Sequence, residues 1–385
     1  MKIEVGNGFF ETFGARAEFF FFAPGRVNII GEHVDYNGGL VMPCALNLGS
    51  YVAASKRGSN EVRLASMTYK PFVKTSLSGL GVDEAHGWAN YPKSVALCLI
   101  EDGRSLSGFD MCFAGDLPRG AGLSSSASLC MVVAVALNGM FELGLSPAEL
   151  AKICQKAESK NGVNCGIMDP FASAACKKGH AILLDCASLE YSQVPLNIGQ
   201  WKIVIANTNK QRGLQDSKYN ERRAECELAL SDLQKAVQIN ELCDLSPDEF
   251  LAHKDVISCE VAKRRAHHVI FENDRAKRAA EFAKKGQWSE FSKLLRETHD
   301  SLRDLYEVSC HELDSLVKHA YAFEGNYPIY GARMTGAGFG GCTVNIVNKH
   351  DIVAFCKYVG NNYKNHTGKE ASFYEAEPGA GARAI

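Results

Sequence analysis

Pro118-Arg119-Gly120-Ala121-Gly122-Leu123-Ser124-Ser125-Ser126-Ala127-Ser128 leads directly into the apolar run Leu129 to Phe141. Gly120 and Gly122 permit a tight turn with positive φ and a close backbone approach to a ligand. The serines then open a strongly apolar helix, read here as Leu123 to Phe141 and buried on all sides. A helix N-terminus carries unpaired N–H groups and partial positive charge, which suits a phosphate. Serine hydroxyls can donate to phosphate oxygens or ligate Mg²⁺. A plain serine cap after a glycine turn explains the same residues, and chemistry alone leaves both readings open. The segment lacks the Lys of a P-loop, and it lacks the spacing of a dinucleotide fingerprint.

Working outward, glycine is 35 of 385 residues, above the usual ~7%, and two further loops account for much of the excess. Pro24-Gly25-Arg26-Val27-Asn28-Ile29-Ile30-Gly31-Glu32-His33-Val34-Asp35-Tyr36-Asn37-Gly38-Gly39 packs Arg26, Asn28, Glu32, His33, Asp35 and Asn37 into twelve positions after a Phe run. Such a loop can hydrogen-bond a polyol at several points, or it is a solvated turn with incidental charge. Gly336-Ala337-Gly338-Phe339-Gly340-Gly341 reads as a turn where the backbone packs closely on its surroundings. In Asn164-Cys165-Gly166-Ile167-Met168-Asp169-Pro170-Phe171, Asp169 stands at the mouth of a helix expected over Pro170 to Cys176. An N-cap role explains it, and Pro is permitted in a first helical turn.

The remaining pattern supports an α/β chain of two domains, divided near residue 195 into 1–195 and 196–385. Phe19 to Ala23 and Val62 to Ala65 read as strands. From Asp216 to about Lys318 the chain is charged and helical, with amphipathic stretches at Tyr219 to Val237 and Glu260 to Lys285. A strand at Cys342 to Val347, a helix near Asp351 to Val359 and a strand at Ser372 to Tyr374 follow.

Composition narrows the function classes. Lys+Arg is 42 against Asp+Glu 44, a net charge of −2, so neither nucleic acid nor a membrane surface is expected as partner. Residues Met1 to Asn7 lack the apolar core of a secretory leader, and no apolar run is long enough to span a bilayer. The 14 cysteines form no CxxC pair, and read as small buried hydrophobes in a reducing cytoplasm.

Taken in order, Gly25 to Gly39, Gly120 to Ser128 and Met334 to Cys342 resemble the GHMP small-molecule kinases. The Glu32-His33-Val34-Asp35 loop resembles the galactokinase family within them. Cys165 to Asp169 and Asp216-Ser217-Lys218-Tyr219-Asn220-Glu221-Arg222-Arg223 match that family as well, so the likeness spans about residues 19 to 375. It implies a ribosomal-S5-like N-terminal domain meeting a ferredoxin-like C-terminal domain, with the site in the cleft. The implied reaction moves the γ-phosphoryl of MgATP to the anomeric hydroxyl of α-D-galactose, in a monomer or weak dimer. Residue by residue, the resemblance implies that Glu32, His33, Val34 and Asp35 hold sugar hydroxyls, helped by Gly166 and Tyr219. Gly120, Ala121, Gly122, Leu123, Ser124, Ser125 and Ser126 would cradle the phosphates, with Trp88 beside the adenine. Ser126 and Glu158 would hold Mg²⁺, and Gly338 to Gly341 would close the site. Asp169 is the implied base for the sugar hydroxyl, with Arg26 as its cationic partner.

Two departures stand out. Pro170 replaces the Gln that usually follows the catalytic Asp, and proline biases its predecessor away from helical backbone. The stretch from Glu158 to Asp169 is also one residue shorter than usual. Two other readings compete: a kinase for N-acetylgalactosamine, a uronic acid or arabinose, and a sugar and ATP sensor without catalysis.

Overall fold

The computed structural model describes residues 1–118, 122–163, 166–210 and 215–385. In chain order, the first half supplies α1 (Lys2–Phe13), β1 (Phe19–Asn28), β2 (Leu40–Val41), β3 (Pro43–Lys56), β4 (Glu61–Ser66) and β5 (Val73–Ser76). It continues with α2 (Asn90–Glu101), β6 (Phe109–Gly115), α3 (Ser125–Met140), α4 (Pro147–Lys160), α5 (Met168–Ala175), β7 (His180–Asp185) and β8 (Tyr191–Pro195). The second half supplies β9 (Trp201–Asn207), α6 (Gln215–Leu233), α7 (Pro247–His253), α8 (Glu260–Lys284), α9 (Trp288–Asp304), α10 (His311–Tyr321), β10 (Ala332–Thr335) and β11 (Cys342–Asn348). It ends with α11 (Ile352–Thr367), β12 (Ser372–Ala376) and β13 (Arg383–Ala384).

The first sheet runs β13-β1-β3-β6-β4-β5, and β2-β7-β8 forms a small second one. β1 is longer than the Phe run suggests, because it continues through Gly25 and Arg26 to Asn28. Its register against β3 shifts between Pro24 and Arg26. Pro24 cannot donate to a ladder, and an irregularity there is the expected accommodation. The shift leaves Arg26 with its N–H on the carbonyl of Leu123, so β1 delivers Arg26 to the serine loop. α3 is apolar all round and lies in the main core with α2, α4 and α5 against the sheet. Its three-sided burial is why the helix shows no polar face in the sequence.

In the second half, β10-β11-β9-β12 is an antiparallel sheet in a β-α-β-β-α-β chain order, the ferredoxin-like pattern. The halves are interlocked. Cys226, Ala229 and Leu233 of α6, with Val269 and Ile270 of α8, share the core that contains α3 and α4. The last strand returns to the first sheet, where Phe21 faces Ala384 and Phe22 faces Arg383. The described cysteines are free thiols, and none is exposed. No helix among the described residues is long and apolar enough to cross a membrane.

One local expectation is corrected. The helix after Gly166 begins at Met168, with Ile167 as its N-cap, so Asp169 lies inside the first turn rather than capping it. Pro170 does not push Asp169 out of the helix. The first backbone bond runs from Phe171 to Ile167, so the missing proline N–H would have had no helical partner.

Candidate active site

Asp169, Arg26 and Ser124 meet where β1, α3 and α5 converge. Arg26 donates from Nε to Asp169 Oδ1 at 2.7 Å and from Nη2 to Oδ2 at 2.8 Å. Its remaining terminal nitrogen donates to the carbonyl of Gly122 at 2.8 Å. The forked pair uses the planar geometry that a guanidinium offers and a lysine does not. Ser124 also donates to Asp169 Oδ2. It sits in the left-handed region at φ 57°, and its side chain makes no cap bond to α3. The hydroxyl that would cap the helix is therefore turned to Asp169. Among the described residues no N-cap side chain covers the first N–H groups of α3, which lie beside exposed Ser125 and half-buried Ser126. Among the described residues Asp169 accepts three hydrogen bonds, on about four lone-pair positions.

The polyol-type loop lies next to this centre. The Asp35 carboxylate presses on the backbone of Gly166: a Cβ at that position would stand 1.7 Å from Asp35 Oδ2. Only glycine fits there. Burial, first, and then the Asp169 and Glu32 carboxylates push Asp35 up to about 7. A carboxyl raised above its unfolded value stabilises the fold at low pH and loses that contribution as pH rises through its folded value. Asp35→Asn is therefore expected to melt progressively higher than the wild type as pH goes from 4 to about 7, with the gap level beyond. Paired melting curves across that range check this, and a gap independent of pH would remove the assigned shift.

His33 is buried, with φ 63°, and its ring contacts Tyr36, Tyr219 and Tyr306. Tyr219 on α6 closes one side of this aromatic group. Val34 has no exposed surface and belongs to the main core. Its carbonyl accepts from Asn37 and Gly39, so its contribution is to the shape of the loop. Glu32 is almost fully buried, and its carboxylate accepts from Arg333 Nη1 at 2.6 Å.

Arg333 is a residue that sequence reading missed. It lies in β10 with no exposed surface, and it also donates to the carbonyls of Ile29 and Asn28 at 2.6 Å each. Glu272 on α8 is a second missed residue. Its Oε1 accepts from the N–H groups of Gly31 and Glu32 at 2.9 and 3.1 Å. Its Oε2 accepts from Arg275 at 2.8 Å and Thr298 at 2.9 Å. A charged residue between Ala332 and Met334, just before a glycine loop, is the one signal that could have singled out Arg333. Nothing local distinguishes Glu272 on a long charged helix. The third glycine segment meets the site as expected of a close-packed turn. Gly338 has φ +83°, and a Cβ there would lie 2.2 Å from the carbonyl of Val308. Ala337 presents its carbonyl to His33 Nε2 at 3.3 Å.

The other expected residues are placed as follows. Gly120 and Ala121 lie outside the described residues. Leu123 is buried in a second core cluster. Trp88 packs edge-on against Phe113 of β6 and donates to the carbonyl of Pro71 at 3.1 Å. Glu158 is buried near the end of α4.

This architecture, a serine-bounded helix end beside an Arg–Asp pair, with a glycine loop of the second half meeting the polyol-type loop, is that of a GHMP kinase. The N- and C-terminal GHMP kinase models match residues 90–177 and 279–365. A galactokinase galactose-binding signature matches residues 7–56, which include β1 and the polyol-type loop. The chain is 48% identical to a galactokinase of Clostridium tetani, covering 99% of this chain and 97% of that one. It is 50% identical to a galactokinase of Fusobacterium nucleatum, with 94% of each covered. The solved structure of Lactococcus lactis galactokinase complexed with galactose superposes with a TM-score of 0.95 at 40% identity, over 100% of this chain and 99% of that one. A mevalonate kinase structure shares the fold at 19% identity, with a TM-score of 0.65 over 94% of this chain and 99% of that one. The chain belongs to the galactokinase family, and it is an ATP-dependent sugar kinase.

Proposed function

We propose that the chain transfers the γ-phosphoryl of ATP to the anomeric hydroxyl of α-D-galactose, giving galactose 1-phosphate and ADP. The observation that carries this reading is the Asp169 carboxylate. It is clamped by Arg26 and Ser124 between the N-terminus of α3 and the Asp35 loop. A phosphate at the helix end and a hydroxylated ring at the loop would meet there.

The anomeric oxygen forms a new bond to the γ-phosphorus as the bond from that phosphorus to the bridging oxygen breaks. Asp169 accepts the hydroxyl proton. In a loose transition state the proton leaves late, so the larger contribution of Asp169 is alignment. Arg26 holds the carboxylate in plane and places positive charge beside the transferring group. Asp35, His33, Tyr219 and the backbone at Gly166 would orient the sugar, while Glu32 shapes the loop through Arg333.

Among the described residues no cluster of three or more His, Cys, Asp or Glu side chains is arranged to hold a metal by itself. A Mg²⁺ shared with the nucleotide does not need one. The Ser126 hydroxyl and the Glu158 carboxylate are hard oxygen donors of the kind that complete such a shell with phosphate oxygens and water. When bound, the ion would neutralise charge on the phosphate oxygens. Trp88 would lie on the adenine side, past β6. We assign residues 1–195 and 196–385 as the two domains, with β13 swapped back to the first sheet. The free thiols support a reducing, cytoplasmic setting.

The test is release of ADP by purified protein with ATP and each sugar of a panel: galactose, N-acetylgalactosamine, a uronic acid and arabinose. Galactose is expected to show the highest kcat/KM. A higher value for another sugar would replace the substrate, and binding without ADP release would make the protein a sensor.

A further inference from the structure

A chain of hydrogen bonds leads from a buried thiol to the third glycine loop and passes through the sugar loop. Cys226 Sγ on α6 lies 3.2 Å from the Tyr306 hydroxyl, just past α9. The Tyr306 hydroxyl is 2.7 Å from that of Tyr36. Tyr36 is 2.8 Å from His33 Nδ1, and His33 Nε2 is 3.3 Å from the carbonyl of Ala337. Four separate segments meet in this line.

The far end sets its direction. A backbone carbonyl only accepts, so His33 Nε2 carries the hydrogen. A neutral imidazole has a single N–H, so Nδ1 must accept and Tyr36 must donate to it. The Tyr36 oxygen then accepts from Tyr306, and the Tyr306 oxygen accepts from the Cys226 thiol. Burial, first, and then the His268 ring push His33 down to about 3, which keeps its ring neutral. Burial likewise holds Cys226 up at about 12 and Tyr306 well above its ordinary value, so both remain donors. The Tyr306 ring lies between those of His33 and His268, with centroids 4.9 and 4.5 Å away. His33 itself is at φ 63°, a conformation that a non-glycine residue keeps only when its surroundings enforce it.

We propose that Tyr306 is a positioning residue of the sugar site: by donating to Tyr36 it supports the Tyr36 donation to His33 Nδ1, holds His33 in one orientation with the tautomer that the Ala337 carbonyl sets, and so ties residues 33–36 to the loop at Ala337. The sugar loop thereby acquires its shape only when α6, the segment after α9 and the third glycine loop are all in place. This rests on the reading of residues 33–36 as sugar-contacting.

Tyr306→Phe keeps the ring and removes the hydroxyl. It is expected to raise the galactose KM about tenfold, the effect of one buried hydrogen bond, with the ATP KM within about twofold of wild type. Nitrogen-15 NMR of the histidine rings supplies a readout independent of turnover. In the wild type, His33 is expected as the neutral Nε2–H tautomer with Nδ1 accepting from Tyr36, and in Tyr306→Phe the Nδ1 resonance is expected to shift as that hydrogen bond weakens. Cys226→Ala should raise the galactose KM more modestly, and Cys226→Ser, which restores a donor, should return it to the wild-type value. This pair carries the test if Tyr306→Phe does not fold. An unchanged galactose KM in folded Tyr306→Phe, equal values for the Cys226 pair, or a hydrogen on Nδ1 of His33 in the wild type would overturn the proposal. Failure of the wild type to turn over galactose, with the His33 tautomer as expected, would instead count against the activity.

Discussion

Asp169→Asn is expected to lower kcat by at least about 10²-fold, the usual contribution of a positioned base or charge partner. That factor corresponds to about 2.7 kcal/mol of transition-state stabilisation. The amide can accept one hydrogen bond from Arg26, but its NH₂ faces the second guanidinium nitrogen, donor against donor. The fork at Nε and Nη2 is therefore broken, and the Ser124 hydroxyl loses a charged acceptor. Both the alignment of the sugar hydroxyl and the placement of Arg26 beside the transferring group are disturbed. The loss should appear in kcat and in kcat/KM to a similar degree, with the KM values for galactose and ATP little changed, because the interaction belongs to the transition state. Steady-state kinetics in both substrates make the measurement. Turnover equal to wild type would remove Asp169 from the chemistry. Arg26→Lys should share most of the defect, since an ammonium cannot make the two parallel bonds.

The second large effect falls on stability. Arg333→Met is expected to destabilise the protein by about 3–5 kcal/mol, the cost of leaving a buried charge without its partner. Arg333 and Glu32 have side chains with 0% and 3% of their surface exposed, so water cannot substitute for the lost cation. The substitution also removes the Arg333 donor from the carbonyls of Ile29 and Met334, and leaves that of Asn28 with the Thr335 hydroxyl in place of two donors. Because Arg333 belongs to β10 and its acceptors Asn28, Ile29 and Glu32 end or follow β1, the damage is to the seam between the halves. A fall in melting temperature should be accompanied by a raised galactose KM, as the 29–33 segment loses its tether. Adding Glu32→Gln to Arg333→Met should recover part of the stability, since a neutral amide is far cheaper to bury than a carboxylate. Melting curves of the two variants test this. A single variant as stable as wild type, or a double variant less stable than the single, would show that the pair does not join the halves in this way.

Much of the site was legible in the sequence because its parts are local. The glycines, serines and polar residues of each loop are close neighbours, and their types restrict what a backbone turn can do. The strands at Val62 and Cys342 and the helix after Ser124 were also legible, because they are apolar runs bounded by turns. The Asp169 helix was misread by two residues, since an Asp before Pro looks like a cap until the first backbone bond is located at Phe171. The extent of β1 was missed because Pro24 and Gly25 look like a turn, whereas pairing with β3 carries them as an irregular strand.

By itself, the sequence determined which loops can approach a ligand closely and which helix is apolar on every face, and both follow from residue type and spacing over a few positions. Its motifs, taken in order, also carried the resemblance to the family. The tertiary structure alone decided that Glu32 and Arg333, 301 positions apart, are partners, and it supplied the forked geometry by which Arg26 holds Asp169, 143 positions away. Hydrophobic burial brings such segments together without regard to their polar groups. The pairing then follows from which donors and acceptors are shut away from water side by side. That is why Glu32, read in its loop as a sugar ligand, has its carboxylate held by an arginine from the other half of the chain.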